Sequence, residues 1–281
     1  MGSRKKLVKR LHGLIDRLET LLPENEAAVD WSYTAYQWRD GRLQGVAQPH
    51  LCALDDLLCM QRQKTEVLRN VRRFLGGRPA NHVLLWGARG TGKSTLIKAV
   101  FHELSGAGLR LLEMDAAHLH ELPRLAERIR DRDERFLLYC DDLSFEADDP
   151  SYKTFKAMLE GSIAAPPENL LICATSNRRH LMPEFQQENQ ETRYLGDEVH
   201  PGESVEEKVS LSERFGLWLS FYPFRQEEYL QICGHWLQRL SGQRQDPGSY
   251  REAAVQWAQQ RGARSGRVAR QFAIDHLAQQ D

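Results

Sequence analysis

The chain has 281 residues, 41% of them hydrophobic and 27% charged, enough for one large domain and a smaller one with their own cores. A net charge of -1 excludes a whole-protein polycation, so any contact with nucleic acid must be regional. The five cysteines, Cys52, Cys59, Cys140, Cys173 and Cys233, are odd in number and widely spaced, which excludes a disulfide scaffold and paired zinc ligands and fits a reducing cytoplasm.

No apolar run is long enough to span a bilayer, and the opening MGSRKK predicts neither a cleaved leader nor a lipid. Leu7, Leu11, Leu14, Leu18 and Leu21 then recur on one helical stripe that Pro23 stops. Such a stripe serves a two-chain coiled coil, a membrane contact through Arg4, Lys5, Lys6, Lys9 and Arg10, or docking on the chain's own body. The aromatic stretch WSYTAYQW, 31–38, either stacks on bases or anchors this extension, and anchoring is the simpler role. A helical stretch from Leu54 to Leu75 follows, closed by Gly76, Gly77 and Pro79.

Beyond it, four short apolar runs alternate with helical segments: HVLLW at 82–86, LRLLEM at 109–114, RFLLYC at 135–140 and NLLICAT at 169–175. Each suits a strand buried on both faces, and their alternation with helices predicts an α/β fold with a parallel sheet flanked by helices. From Pro223 the pattern turns helical, with Tyr229, Ile232, Cys233 and Trp236 on one face and a second helix near Ala253 to Gln259. The expected organisation is an N-terminal helical extension over 1–48, an α/β nucleotide-binding domain over 49–221 and a helical lid over 222–281.

The first of those strands runs directly into GARGTGKS, Gly87 to Ser94, and a helix carrying Leu96, Ile97 and Val100 follows. That is the phosphate-binding pattern G-x4-G-K-[ST] in its strand, loop, helix setting. Gly87, Gly90 and Gly92 let the backbone N–H groups of the loop, through Ala88, Arg89 and Thr91, turn toward phosphate oxygens at the positive end of the helix. Lys93 is expected to neutralise the β- and γ-phosphates, and Ser94, with Thr95 behind it, to offer a hydroxyl to Mg²⁺.

A metal there explains why the run FLLYC ends on two acids. Asp141 is expected to face Mg²⁺, and Asp142 to orient a water or act as base. Glu146 is an alternative base, with a surface helix-start carboxylate as its plainer role. His118 and His120, beside Asp115 and Glu121, lack further ligands at metal spacing and read as a solvated loop. Eight acids against Arg193 alone between Pro183 and Lys208 predict a surface insertion, either a plain solvated loop or a regulator of the subunit interface.

Together with that loop, CDDLSFE, ATSNRRHL at 174–181, LSERFGLWLSF at 211–221 and RSGRVARQF at 264–272 resemble AAA+ ATPases. More narrowly they resemble a bacterial family of AAA+ ATP-binding proteins catalogued as a domain of unknown function, over roughly 31–275. The resemblance implies that Asn177, otherwise a strand-ending turn residue, is the sensor that holds the attacking water. It also implies that Arg214 is an arginine finger acting on a neighbouring subunit's nucleotide, worth ~10³ to 10⁵ in rate in nucleotide hydrolases. The residues alone read Arg214 equally well as an ion-pair partner of Glu213 or Glu207.

By the same resemblance Arg267, with Arg264 as second candidate, is the lid arginine that touches the γ-phosphate, and Leu58 and Met60 contact adenine, where core packing is the other reading. Two departures matter. The second acid is Asp142, not the glutamate common in motors, and the segment DAAHLHELPRL lacks the aromatic and glycine of a polypeptide-threading loop. The implied activity is therefore slow ATP hydrolysis, with ATP and Mg²⁺ as cofactors, in a homo-oligomer that switches or remodels a macromolecular client. Alternatives are a nucleic-acid-associated initiator or helicase loader, a nucleotide-dependent scaffold without turnover, and a phosphotransferase. The first of these has no visible helix-turn-helix or spare basic domain.

Overall fold

The computed structural model describes residues 29–145, 150–160, 166–179, 181, 193–195, 198–200 and 211–279. The leucine stripe at 7–21, Glu146 and most of the acidic stretch lie outside them. In chain order, a hairpin of β1 (Ala35–Arg39) and β2 (Arg42–Gly45) precedes α1 (Gln61–Leu75), β3 (Val83–Gly87) and α2 (Lys93–Leu104). Next come β4 (Leu109–Met114), α3 (Leu122–Ile129), β5 (Arg135–Cys140), α4 (Pro150–Glu160) and β6 (Leu170–Ser176). A two-stranded ribbon, β7 (Arg193–Leu195) with β8 (Glu198–His200), falls inside the acidic stretch. The chain continues through β9 (Leu217–Phe221), α5 (Gln226–Ser241), α6 (Pro247–Gln260) and α7 (Gly266–Ala278).

Seven strands form one sheet in the order β2-β1-β4-β5-β6-β3-β9, parallel except where β2 turns back on β1. All seven residues of β6 are buried, because helices cover both faces of the central strands. Alternation within a strand sorts the side chains. Val83 and Leu85 pack with Leu96, Val100 and Phe101 of α2, whereas Leu84 packs with Leu138, Ile172 and Leu125 on the α3 and α4 side. Leu138 is fully buried at the centre, where truncation to alanine costs about 2–5 kcal/mol. The α2-side cluster runs on without a break into Tyr229, Ile232, Cys233 and Phe272 of the C-terminal helices.

Three expectations need correction. The sheet begins at Ala35, upstream of the boundary expected at 48/49, because Asp40 (φ 50) and Gly41 (φ 70) form the two-residue turn that closes a tight hairpin. Tyr36 and Trp38 are buried beneath it, with the Trp38 indole N–H donating to Glu121, so these rings anchor the segment and cannot stack on bases. The helix read from Leu54 to Leu75 is broken: a single 3₁₀ turn, Leu54–Asp56, is followed by an extended stretch with Cys59 at φ 58 before α1 starts. Finally, the acidic stretch is not wholly loop, since the β7–β8 ribbon pairs Arg193 with His200 and Leu195 with Glu198.

Candidate functional site

In the strand order β5-β6-β3, the C-terminal ends of three neighbours lie side by side. Asp141 follows β5, Asn177 follows β6 and the glycine loop follows β3, so the fold itself brings the three sequence motifs to one edge. This is where open parallel sheets present their crevice. A cavity of about 780 Å³ opens there, walled on the sheet side by Gly90 to Thr95, Asp141, Asp142, Thr175 and Asn177. Its size suits a nucleotide.

The glycines are fixed by their surroundings. At Gly87 (φ 128) a Cβ would fall on the Phe221 carbonyl of β9, the same carbonyl that accepts the Ala88 N–H at 2.9 Å. Gly92 (φ 102) caps α2 in a left-handed conformation, and a Cβ there would lie 2.8 Å from Met60 Cε. No side chain caps this helix, so the N–H groups of its first turn face the cavity as a ready anion site.

Lys93 is only 6% exposed and its ammonium donates to the carbonyls of Gly87 and Ala88, both at 2.8 Å, and to Asn177 Oδ1 at 3.1 Å. Burial lowers its pKa, the charges of Asp142 and Asp141 oppose that, and Arg89 and Arg267 add to it. Asn177 in turn donates from Nδ2 to Asp142. One amide thus joins the loop lysine to the second acid.

The two acids are held differently. Asp141 Oδ1 accepts from Ser94 Oγ at 2.7 Å and from Thr175 Oγ1 at 2.6 Å. Burial alone would raise its carboxyl, but those hydrogen bonds outweigh it and hold the group below the usual carboxylate range, ionised. Asp142 adopts φ 49, a left-handed conformation uncommon outside glycine, and its N–H donates to Thr175 Oγ1 at 3.0 Å. Thr175 therefore pins both acids at once, a role sequence reasoning missed. The sequence marks only hydroxyl residues closing an apolar run; the Cys140–Ala174 register, which sets the next residue, Thr175, opposite Asp141, exists only in the folded sheet.

A serine hydroxyl and an ionised carboxylate converging at 2.7 Å form an oxygen-only donor pair suited to a hard cation such as Mg²⁺. Tyr139, fully buried behind them, points its hydroxyl at Ser94 and Asp141 without closing a hydrogen bond to either. The uncapped helix start, the lysine and this oxygen pair together fit a magnesium-bound polyphosphate.

The opposite wall is apolar at one end. Leu57, Leu58 and Met60 from the segment before α1 face Phe224, Ile232 and Trp236, so Leu58 and Met60 do line the cavity, joined by partners the sequence did not nominate. From α7 come Arg267 and Arg270. The α7 end docks directly on the loop, with the Arg267 N–H donating to the Gly90 carbonyl at 3.3 Å and Ser265 Oγ 2.9 Å from where a Gly90 Cβ would sit.

Arg264 does not reach this cavity. Ser265 is the N-cap of α7, accepting the Val268 N–H at 3.2 Å, which leaves Arg264 outside the helix. It lines a separate cavity of about 630 Å³ behind the loop, with Arg89, Gln226 and Gln259. Arg214 is also absent from the nucleotide-sized cavity. It precedes β9, at the opposite edge of the sheet, and pairs with Glu160 at the end of α4. The five residues of β9 put about 16 Å between that edge and the loop.

A family described as "Protein of unknown function (DUF815)" matches residues 31–280. The chain belongs to the DUF815 family. Among solved structures, two variants of RuvB from Thermotoga maritima share this fold: one with a TM-score of 0.53 at 17% identity, the other with 0.51 at 15%. Each covers 79% of this chain, and the chain spans 63% of the length of each. The fold is thus the AAA+ fold, as the motif resemblance implied. No curated protein matches. Among the described residues of this DUF815 member, no helix is long and apolar enough to cross a membrane.

Proposed function

We propose that this DUF815 protein binds ATP with Mg²⁺ in the 780 Å³ cavity and hydrolyses it slowly, as an oligomeric switch acting on a macromolecular client. The observation that carries the reading is the convergence of Lys93, Ser94, Asp141, Asp142 and Asn177 at one sheet edge.

The residues divide the work. First-turn N–H groups of α2 and the Lys93 ammonium hold the β- and γ-phosphates. Ser94 and Asp141 would hold Mg²⁺, which supplies charge neutralisation when bound. Asp142 and Asn177 orient the attacking water, whose oxygen bonds to the γ-phosphorus as the bond to the β–γ bridging oxygen breaks, giving ADP and phosphate. Arg267, from the helix docked on Gly90, reports the γ-phosphate to the C-terminal helices.

Arg214 belongs to the next subunit's site, since its own cavity lies at the far sheet edge. Two features favour slow turnover: Asp142 is one methylene shorter than glutamate, and its carboxylate is already tied to Asn177.

Turnover and particle size, measured with and without ATP, test this. Lys93→Ala abolishes nucleotide binding. Arg214→Ala binds but loses turnover, and mixing it with Asp142→Asn protein restores part of the activity at shared interfaces. No rescue at assembling concentrations removes the trans role, and tight ATP binding with background turnover selects the scaffold reading instead.

A further inference from the structure

Two arginines one turn apart on α7, Arg267 and Arg270, enter the same cavity, and neither forms an ion pair among the described residues. Their surroundings differ. The Arg267 backbone is docked on Gly90, and its charge falls on Lys93, at the phosphate end. Arg270 lies about 4.5 Å further along the helix axis, with its guanidinium over the Trp236 ring at 5.3 Å. Leu51, Cys52 and Asp56, from the segment before α1, line the same cavity. Leu51, Leu57, Leu58, Ile232 and Trp236 form the apolar part of its lining.

We propose that Arg270, whose guanidinium lies over the Trp236 ring, is a base-gripping residue: it stacks on the purine, giving a Trp–Arg–base sandwich that ties the C-terminal helices to the nucleoside and not to the γ-phosphate. A guanidinium suits this because it is planar, weakly hydrated and stacks on aromatic faces. The two arginines then report different things. Arg267 distinguishes ATP from ADP, whereas Arg270 recognises that any adenine nucleotide is present.

This rests on the nucleotide-binding reading above, and the test separates the two. Titrate ATP, ADP and inorganic tripolyphosphate, each with Mg²⁺, into wild type, Arg270→Ala, Arg270→Lys and Arg267→Ala protein. Arg270→Ala weakens ATP and ADP alike, by roughly ten-fold, the size of one desolvated cation–π or stacking contact, and leaves tripolyphosphate unchanged. Arg270→Lys recovers less than half of the loss, because it restores charge without a plane. Arg267→Ala weakens ATP more than ADP.

The proposal is overturned if Arg270→Ala weakens tripolyphosphate as much as ATP, if it leaves ADP unaffected, or if lysine restores binding in full. Wild-type protein that binds none of the three ligands overturns the nucleotide reading and this inference with it. Arg270 is exposed, so its variants fold, and thermal melting of each confirms that.

Discussion

Thr175→Val isolates the device that holds the two acids. Valine matches threonine in shape at this 1% exposed position, so packing is kept and the hydroxyl alone is lost. Two bonds go with it: the donation to Asp141 at 2.6 Å and the acceptance of the Asp142 N–H at 3.0 Å. A hydrogen bond to a charged group is worth about 1.5–3 kcal/mol and an orphaned buried N–H costs about 1–3. Allowing for overlap, the expected loss is about 3 kcal/mol.

In a chain of this size that lowers the melting temperature by about 8 °C. Asp141 also loses one of the two hydroxyls that hold its carboxylate in place, the other being Ser94, so it is less well aimed at Mg²⁺ and the Mg²⁺ needed for half-maximal ATP binding rises. Thr175→Ser keeps both bonds and stays within about 1 kcal/mol of wild type. The assay is differential scanning fluorimetry with a Mg²⁺ titration at fixed ATP. A valine variant melting within about 2 °C of wild type, with unchanged Mg²⁺ dependence, refutes the reasoning.

His82 gives a pH signature unrelated to the site. Burial lowers its pKa from 6.5 to about 4, and its Nδ1 accepts the Ile172 N–H at 3.1 Å, so it folds neutral. The unfolded chain takes up the proton first. Stability from this group is therefore complete above pH 6.5 and lost as pH falls toward 4, by about 1.4 kcal/mol per unit; urea midpoints for wild type and His82→Gln should converge across that window, and parallel curves would contradict it. Gly87→Ala and Gly108→Ala separate clash from strain: both glycines have positive φ, but a Cβ at Gly87 meets the Phe221 carbonyl and one at Gly108 meets nothing within 4 Å. Gly108→Ala should cost about 1–2 kcal/mol, and Gly87→Ala should abolish soluble folded protein; equal melting temperatures would refute the packing argument.

The four central strands and the phosphate loop were legible because burial on both faces writes unbroken apolar runs, and a backbone that must approach an anion writes glycines. The hairpin was not read, although Asp40-Gly41 between Trp38-Arg39 and Arg42-Leu43 carries the turn signal, because the aromatics beside it suggested an anchor without a partner strand. β9 hid inside a motif recognised for Arg214. Thr175 was illegible as a function because its role depends on register across β5 and β6, which no local pattern states. The choice between Arg267 and Arg264 was readable further than it was taken: Ser265 is a helix cap that sets Arg264 outside the helix while Arg267 and Arg270, three apart, share a face.

Calorimetric titration of ATP with Mg²⁺ into purified wild-type protein bears most directly on the nucleotide reading. The expected result is one saturable site per chain, absent in Lys93→Ala and dependent on higher Mg²⁺ in Asp141→Asn. No binding heat with wild-type protein, or equal binding by Lys93→Ala, would contradict it.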